Sequence, residues 1–180
     1  MRARHRGQES QALIEFALIS PLLLLLIFGI IDIGRAVFYL DTLNHAAREG
    51  ARVAVKAQTS LPTDSSVLSA VMAQVVGVSV TEPCPQGPVS ASTPPANAAW
   101  LYITESPAPT SFETSPPMNA PGGEYPAIAV GGCNPVNPAA SNAPLQVTIR
   151  MNLVLITPII SQLTTGRIVL TATAVYRTEY

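Results

Sequence analysis

A carboxylate and a proline interrupt an apolar run near the start of the chain. In "SQALIEFALISPLLLLLIFGIIDIGRA", which begins at Ser10, Glu15 is the only formally charged residue between Leu13 and Ile31, and Pro21 is a helix breaker. An ionised carboxylate deep in hydrocarbon is costly. Glu15 therefore either lies near the headgroups, where the positive end of the helix dipole stabilises it, or faces a cation. A free α-amino group made by proteolysis four residues upstream, on a neighbouring subunit, would be such a cation.

No constellation typical of a catalyst is present. His45 follows Asp41 by one helical turn, a spacing that predicts an exposed helix pair rather than a catalytic dyad. There is no G-x-S-x-G motif, no phosphate-binding glycine loop and no paired-carboxylate motif. Cys84, Cys133, His5 and His45 have no zinc-ligand spacing. We therefore expect no enzyme activity, no metal and no cofactor.

The element that carries Glu15 is predicted to cross a membrane. At ~1.5 Å per residue, the run from Leu13 to Ile31 approaches the ~30 Å thickness of the hydrocarbon layer. A cleaved signal peptide has an apolar region of only ~7–15 residues, whereas the helical pattern here continues well past the run. A signal peptide and a buried core helix remain the alternatives. Pro21 predicts a bend, because proline removes one backbone hydrogen bond from a helix.

Charge predicts the orientation of this span. Three of the chain's basic residues precede it: Arg2, Arg4 and Arg6. By the positive-inside rule the N-terminus lies in the cytoplasm and the rest of the chain lies outside. The net charge of −1, without a basic cluster downstream, argues against nucleic-acid binding. An oxidising compartment favours a disulfide between Cys84 and Cys133, worth about 4 kcal/mol in the chain-entropy model, with two unpaired thiols as the alternative.

Beyond the span, the apolar residues become periodic, as on an amphipathic helix. They are Ile33, Ala36, Val37, Leu40, Leu43, Ala47, Ala51, Ala54 and Val55. The small residues of this stem, among them Ala46 and Gly50, allow a second backbone to approach closely, either the protein's own sheet or another subunit. Asp32 and Arg35 lie at the outer end of the span, where they are either interfacial anchors or an intersubunit pair.

The remaining chain predicts a small α+β head. "LPTDSSVLSAVMAQVVG" reads as a short helix and "VSVTEP" as a strand. The Pro-rich region 83–144 predicts loops with two short strands, "AWLYITE" and "YPAIAV", or else disorder. "PLQVTIRMNLVLI" alternates as a strand with one buried face, and "RIVLTATAVYRTEY" follows as its antiparallel neighbour. The predicted divisions are a leader over 1–10, a transmembrane helix over 11–34, a stem helix over 35–58 and a head over 59–180.

The N-terminal third resembles the TadE-like proteins, pseudopilins of the tight-adherence (Flp-type) pilus apparatus. The resemblance rests on "EFAL", the Leu-rich run, "DIGRA" and "AAREGAR" in the expected order. Similar proteins are cut by a prepilin peptidase on the cytoplasmic side, which leaves Glu followed by an aromatic residue at the fifth and sixth mature positions. Cleavage between Ser10 and Gln11 would place Glu15 and Phe16 there. The residue before such a cut is usually Gly, and the nearest one here is Gly7, which gives a different spacing.

The resemblance implies a single-pass protein of the bacterial cytoplasmic membrane that acts by helix packing. Its partners would be other pilins, Tad assembly proteins and, if it is processed, the prepilin peptidase, with Glu15 setting the register against a neighbouring N-terminus. The alternative is a signal-anchored exoplasmic binding domain that contacts a ligand or cell-wall polymer. Its binding loop would carry the aromatic residues Trp100, Tyr102, Phe112 and Tyr125.

Overall fold

The computed structural model contains one very long helix and a small head. It describes residues 5–56, 62, 64–83, 89–108, 142, 144–157, 162 and 166–179. The elements in chain order are α1 (His5–Val55), α2 (Asp64–Gln74), β1 (Ser79–Thr81), β2 (Ala98–Glu105), β3 (Pro144–Val154) and β4 (Arg167–Arg177). The predicted α+β layout, a long N-terminal helix followed by a small sheet, is therefore confirmed.

The four strands form one mixed sheet in the order β1-β2-β3-β4. β3 pairs antiparallel with both β2 and β4, as the adjacency of the last two strands in the chain predicts. The small antiparallel sheet that we expected is in fact mixed, because β1 pairs parallel with β2. The segment between them makes a crossover, which lets the short β1 join the free edge of β2.

The core lies between one face of this sheet and the two helices. Its α1 members are the small residues of the stem, together with Leu43 and Val55, and they pack with the apolar face of β3 and with Val67 and Val71 of α2. The buried small residues of α1 are Ala46, Ala47, Gly50, Ala51 and Ala54. Of the two alternatives for this stripe, packing on the protein's own sheet is the one observed. Ile33, Val37 and Leu40 do not join it and are exposed.

The second face of β3 is also partly covered. Thr148 and Asn152, which the alternation assigns to solvent, are buried. The segment preceding β2 covers this face: the Asn152 side-chain amide donates to the Pro94 carbonyl at 2.9 Å, and Arg150 Nε donates to the Ser92 carbonyl at 3.0 Å. A period of two distinguishes the two faces of a strand, but it does not reveal that a distant loop covers the polar one.

Hydrogen bonds attach the head to α1 at both ends of their shared apolar core. At the far end, the backbone N–H of Glu179 donates to the carbonyl of Val55 at 2.9 Å, which satisfies one of the last carbonyls of the helix. The other attachment, at Asp32, lies at the opposite end of the contact. These hydrogen bonds thus hold α1 between residues 32 and 55, and most of the preceding part of the helix is uncovered.

Several predictions concern residues outside the described ranges. Cys84 and Cys133 are among them, so the disulfide stays a prediction. The same applies to "YPAIAV" and to most of the Pro-rich region 83–144, of which the structure describes 89–108 with strand β2. Pro21 lies inside the continuous helix α1, and the predicted bend there stays a prediction.

Candidate functional site

The uncovered part of α1 is the largest apolar surface that the structure describes. Large apolar side chains are exposed on all sides of this part of the helix. A helix of a soluble protein instead has one apolar face, which is buried. They include Leu13, Ile14, Phe16, Leu18, Ile19, Leu22, Leu23, Leu26, Ile27, Phe28, Ile30 and Ile31. Among the described residues, α1 is the helix long and apolar enough to cross a membrane: its most apolar window has a mean hydropathy of 2.6 and no buried residues. We call the stretch 11–31 the free helix.

The length of the free helix fits a bilayer. At ~1.5 Å per residue it measures about 31 Å, close to the ~30 Å hydrocarbon thickness. The next residue, Asp32, is charged and is also the first residue that the head holds by hydrogen bonds. The exposed apolar surface of the free helix thus ends close to Asp32, where the surface covered by the head begins.

Glu15 lies on the free helix, one turn from its start. Its side chain is exposed, and Gln11 Nε2 donates a hydrogen bond to Glu15 Oε1 at 3.3 Å. Phe16 beside it is also exposed. Within the described part of the chain, the Gln11 amide is the hydrogen-bond partner found for this carboxylate, and it supplies no positive charge. The structure therefore presents Glu15 outward, where a group from another molecule can reach it. Ser10 and Gln11 lie within α1 itself.

The Asp32 side chain accepts several hydrogen bonds from the head. Its carboxylate is only 3% exposed and lies against the turn that follows β3. Thr157 donates to Asp32 Oδ2 through its backbone N–H at 2.8 Å and through its hydroxyl at 2.6 Å. The backbone N–H of Ile156 is shared between the two carboxylate oxygens at 3.0 and 3.1 Å. We call these three residues, Asp32, Ile156 and Thr157, the junction.

Arg35 completes the electrostatics of the junction. Its Nη1 lies 3.5 Å from Asp32 Oδ1, and its side chain is 30% exposed. The carboxylate thus makes one long contact to a cation and short bonds to neutral donors of the head. Asp32 is thus an intramolecular acceptor that joins α1 to the head. The two alternatives for Asp32 and Arg35, interfacial anchors or an intersubunit pair, stay predictions. The sequence separation of Asp32 from its partners explains why spacing did not reveal them.

A second pair on α1 matches its prediction. His45 Nε2 lies 3.8 Å from Asp41 Oδ1, and both side chains are mostly exposed. This is the solvent-exposed helix pair that we expected, and such pairs contribute little stability. No group of three or more His, Cys, Asp or Glu side chains with metal-binding geometry occurs among the described residues.

The opposite side of the sheet contains an open pocket of about 250 Å³. It is lined by Val89, Ser90, Ala108, Gln146, Thr148, Arg150, Thr171 and Thr173. Arg150 is its cation, and it already donates to the Ser92 carbonyl and, at 3.1 Å, to the Thr171 hydroxyl. The side chain thereby ties the covering segment to β4, which is a structural use of its donors.

The proposed aromatic binding loop is wrong for the two members that the structure describes. Trp100 and Tyr102 lie on strand β2, not on a loop. Tyr102 is only 1% exposed, and burial raises the pKa of its hydroxyl, although a hydrogen bond with Ser92 and the charge of Arg150 lower it. Phe112 and Tyr125 lie outside the described residues. A buried Tyr102 cannot contact a ligand in solution.

Comparison with known proteins finds a family similar to the N-terminal part of the chain. The family described as TadE-like protein matches residues 11–52. No curated protein and no solved structure matches the chain significantly. The matched segment starts at the first residue of the free helix and ends within the stem, so it covers Glu15, Asp32 and Gly50 but not the sheet. The match agrees with the resemblance noted in the sequence: residues 11–52 of this chain are similar to the TadE-like family.

Proposed function

We propose that this protein is a membrane-anchored pseudopilin or assembly factor of a Flp/Tad-type pilus, and that it acts by helix packing rather than by catalysis. The observation that carries the proposal is the free helix: an uncovered apolar helix of bilayer length with an outward-facing carboxylate at Glu15. The TadE-like segment, which includes this helix, supports it. The helix crosses the cytoplasmic membrane with the head outside, as the arginines at its start favour.

In this proposal Glu15 sets the register between subunits. A carboxylate one turn inside the hydrocarbon layer is stabilised by a cation, and the α-amino group of a processed neighbouring chain supplies one. A neighbour placed so that its N-terminus meets Glu15 neutralises both charges. A neighbour in any other register leaves two unpaired charges in lipid.

The mutation Glu15→Ala tests this role. We expect it to abolish pilus assembly in the native bacterium, measured as the amount of sheared surface filament, while the head stays folded as judged by protease resistance. Glu15→Gln keeps the size and the hydrogen-bonding ability of the side chain but removes its charge, so we expect the same loss. The matched control is Asp41→Ala, which removes an exposed carboxylate from the same helix outside the span. Normal piliation in both Glu15 variants would rule out the proposed role.

Processing gives a second, independent prediction. Mass analysis of the N-terminus of protein purified from native membranes should find a mature chain that starts at Gln11. Deleting the prepilin peptidase should restore the leader. An intact leader in cells with an active peptidase would remove the cationic partner of Glu15 and favour a plain membrane anchor.

A further inference from the structure

The junction places an apolar side chain of the head at the end of the free helix. Ile156 is 55% exposed, although both of its neighbours in the turn, Leu155 and Thr157, are buried. Its own backbone N–H is bound to Asp32, so its position along α1 is fixed by hydrogen bonds. The backbone N–H of Leu155 also donates to the Gly166 carbonyl at 3.4 Å, which closes the connection between β3 and β4.

The residue to which the turn is bound, Asp32, also has apolar neighbours. On α1, Ile31 and Ile33 flank Asp32 in sequence and are exposed to 44% and 65%. The charge of Asp32 itself is withdrawn from this surface, because the junction buries it. Arg35 is the partly exposed cation next to it, and guanidinium groups are well suited to bind phosphate oxygens.

This arrangement has the composition of the boundary between lipid tails and headgroups. We infer that the turn at Ile156 is a second membrane contact of this protein: its side chain enters the outer acyl-chain boundary while Arg35 binds phospholipid phosphate. The occupant is the bilayer and not another protein, because this surface continues directly from the free helix, whose length ends at Asp32. Asp32 acts here as a positioning residue, since it holds the turn at the depth where the span ends. The inference rests on the proposed membrane span.

Tryptophan quenching tests this contact in the full chain. The protein contains one tryptophan, Trp100; in a Trp100→Phe background, Ile156→Trp is reconstituted into phosphatidylcholine vesicles that are brominated near the headgroup end of the acyl chains. We expect its emission to be quenched at least twofold more than that of Val175→Trp. Val175 is an equally apolar, exposed control on β4. It pairs with Gln146, so it lies about 27 Å from Val154 along β3 at ~3.4 Å per residue.

Leu22→Trp separates failure of this inference from failure of the span. Leu22 is exposed in the middle of the free helix. Quenching at Leu22→Trp without quenching at Ile156→Trp would overturn the membrane contact and leave the span intact. Absence of quenching at both positions would overturn both. Quenching at Ile156→Trp that disappears as the protein-to-lipid ratio rises would assign the surface to a second copy and overturn the lipid contact.

The role of Asp32 has its own readout in the same assay. Adding Asp32→Ala should reduce the quenching at Ile156→Trp at least twofold and leave that at Leu22→Trp unchanged. Unchanged quenching at Ile156→Trp would show that Asp32 does not position the turn. If Trp100→Phe prevents folding, the same variants are made with Trp100 present, and the quenching of the unmodified protein is subtracted.

Discussion

Asp32→Ala is expected to destabilise the attachment of the head to α1 by about 3 kcal/mol, because hydrogen bonds to a charged acceptor are worth roughly 1.5–3 kcal/mol each. The change removes the acceptor for the N–H groups of Ile156 and Thr157 and for the Thr157 hydroxyl. Thr157 is 2% exposed, so water does not replace the lost partner without local opening. The free energy of unfolding is measured by denaturant titration of the full chain in detergent, followed by Trp100 emission.

Hydrogen exchange locates the effect of Asp32→Ala. The amides of Ile156 and Thr157 should exchange much faster in the variant, while those of Val147 and Ile149, in the middle of β3, change only with the global stability. The control is Asp41→Ala, since Asp41 is 76% exposed and pairs only with His45 among the interactions found for it. We expect a change within about 0.5 kcal/mol there. Equal effects of the two alanine variants would mean that the junction contributes nothing to the attachment.

Gly50→Leu is expected to disrupt the packing of α1 on α2, at a cost of roughly 3 kcal/mol or more. Gly50 is buried against α2 and β3: an added Cβ would lie 2.6 Å from Val71 Cγ2 and 3.5 Å from the side chains of Val67 and Val147. Valine is stiff at χ1, so Val71 has no alternative rotamer at low cost, and the helices must separate. Gly50→Ala meets the same first contact and should lose about 1–2 kcal/mol, since the helix propensity of alanine offsets part of the clash.

Gly34 supplies the matched control for Gly50. It lies on the same helix, and an added Cβ there meets no atom within 4 Å. Gly34→Ala should therefore raise the free energy of unfolding by up to ~1 kcal/mol through helix propensity, and Gly34→Leu should not destabilise the head. Thermal and denaturant unfolding of the four variants in detergent decide the point. If the Gly50 and Gly34 variants changed stability alike, helix propensity rather than the close approach to Val71 would account for both.

The parts of the structure that follow local rules were predictable from the sequence. The membrane helix was predictable from the length of its apolar run. The stem and the strands β3 and β4 were predictable from the periodic spacing of their apolar residues. The exposure of His45 and Asp41 follows from helical spacing. The TadE-like resemblance, confirmed over 11–52, was readable because its motifs lie close together in sequence.

The junction could not be predicted, because its partners are distant in the chain. In the sequence, Asp32 has the position of an ordinary interfacial charge. No residue near Ile156 or Thr157 indicates that their N–H groups bind a carboxylate. The covering of Thr148 and Asn152 escapes a strand pattern for the same reason. The parallel pairing of β1 with β2 also requires a crossover connection. The three residues of β1 give no sign of that connection. A local sequence pattern thus does not show long-range hydrogen bonds or the covering of a strand by a distant loop.

The two attachments of the head have a mechanical consequence. One is at Asp32, and the other joins Glu179 to Val55 at the opposite end of the contact with α1. The antiparallel pair of β3 and β4 connects these two attachments. Tension applied along the axis of α1 therefore acts on both of them in shear and at the same time. A load on the membrane helix would then be shared between these hydrogen bonds and the apolar core that lies between them, so that the head would move together with the helix.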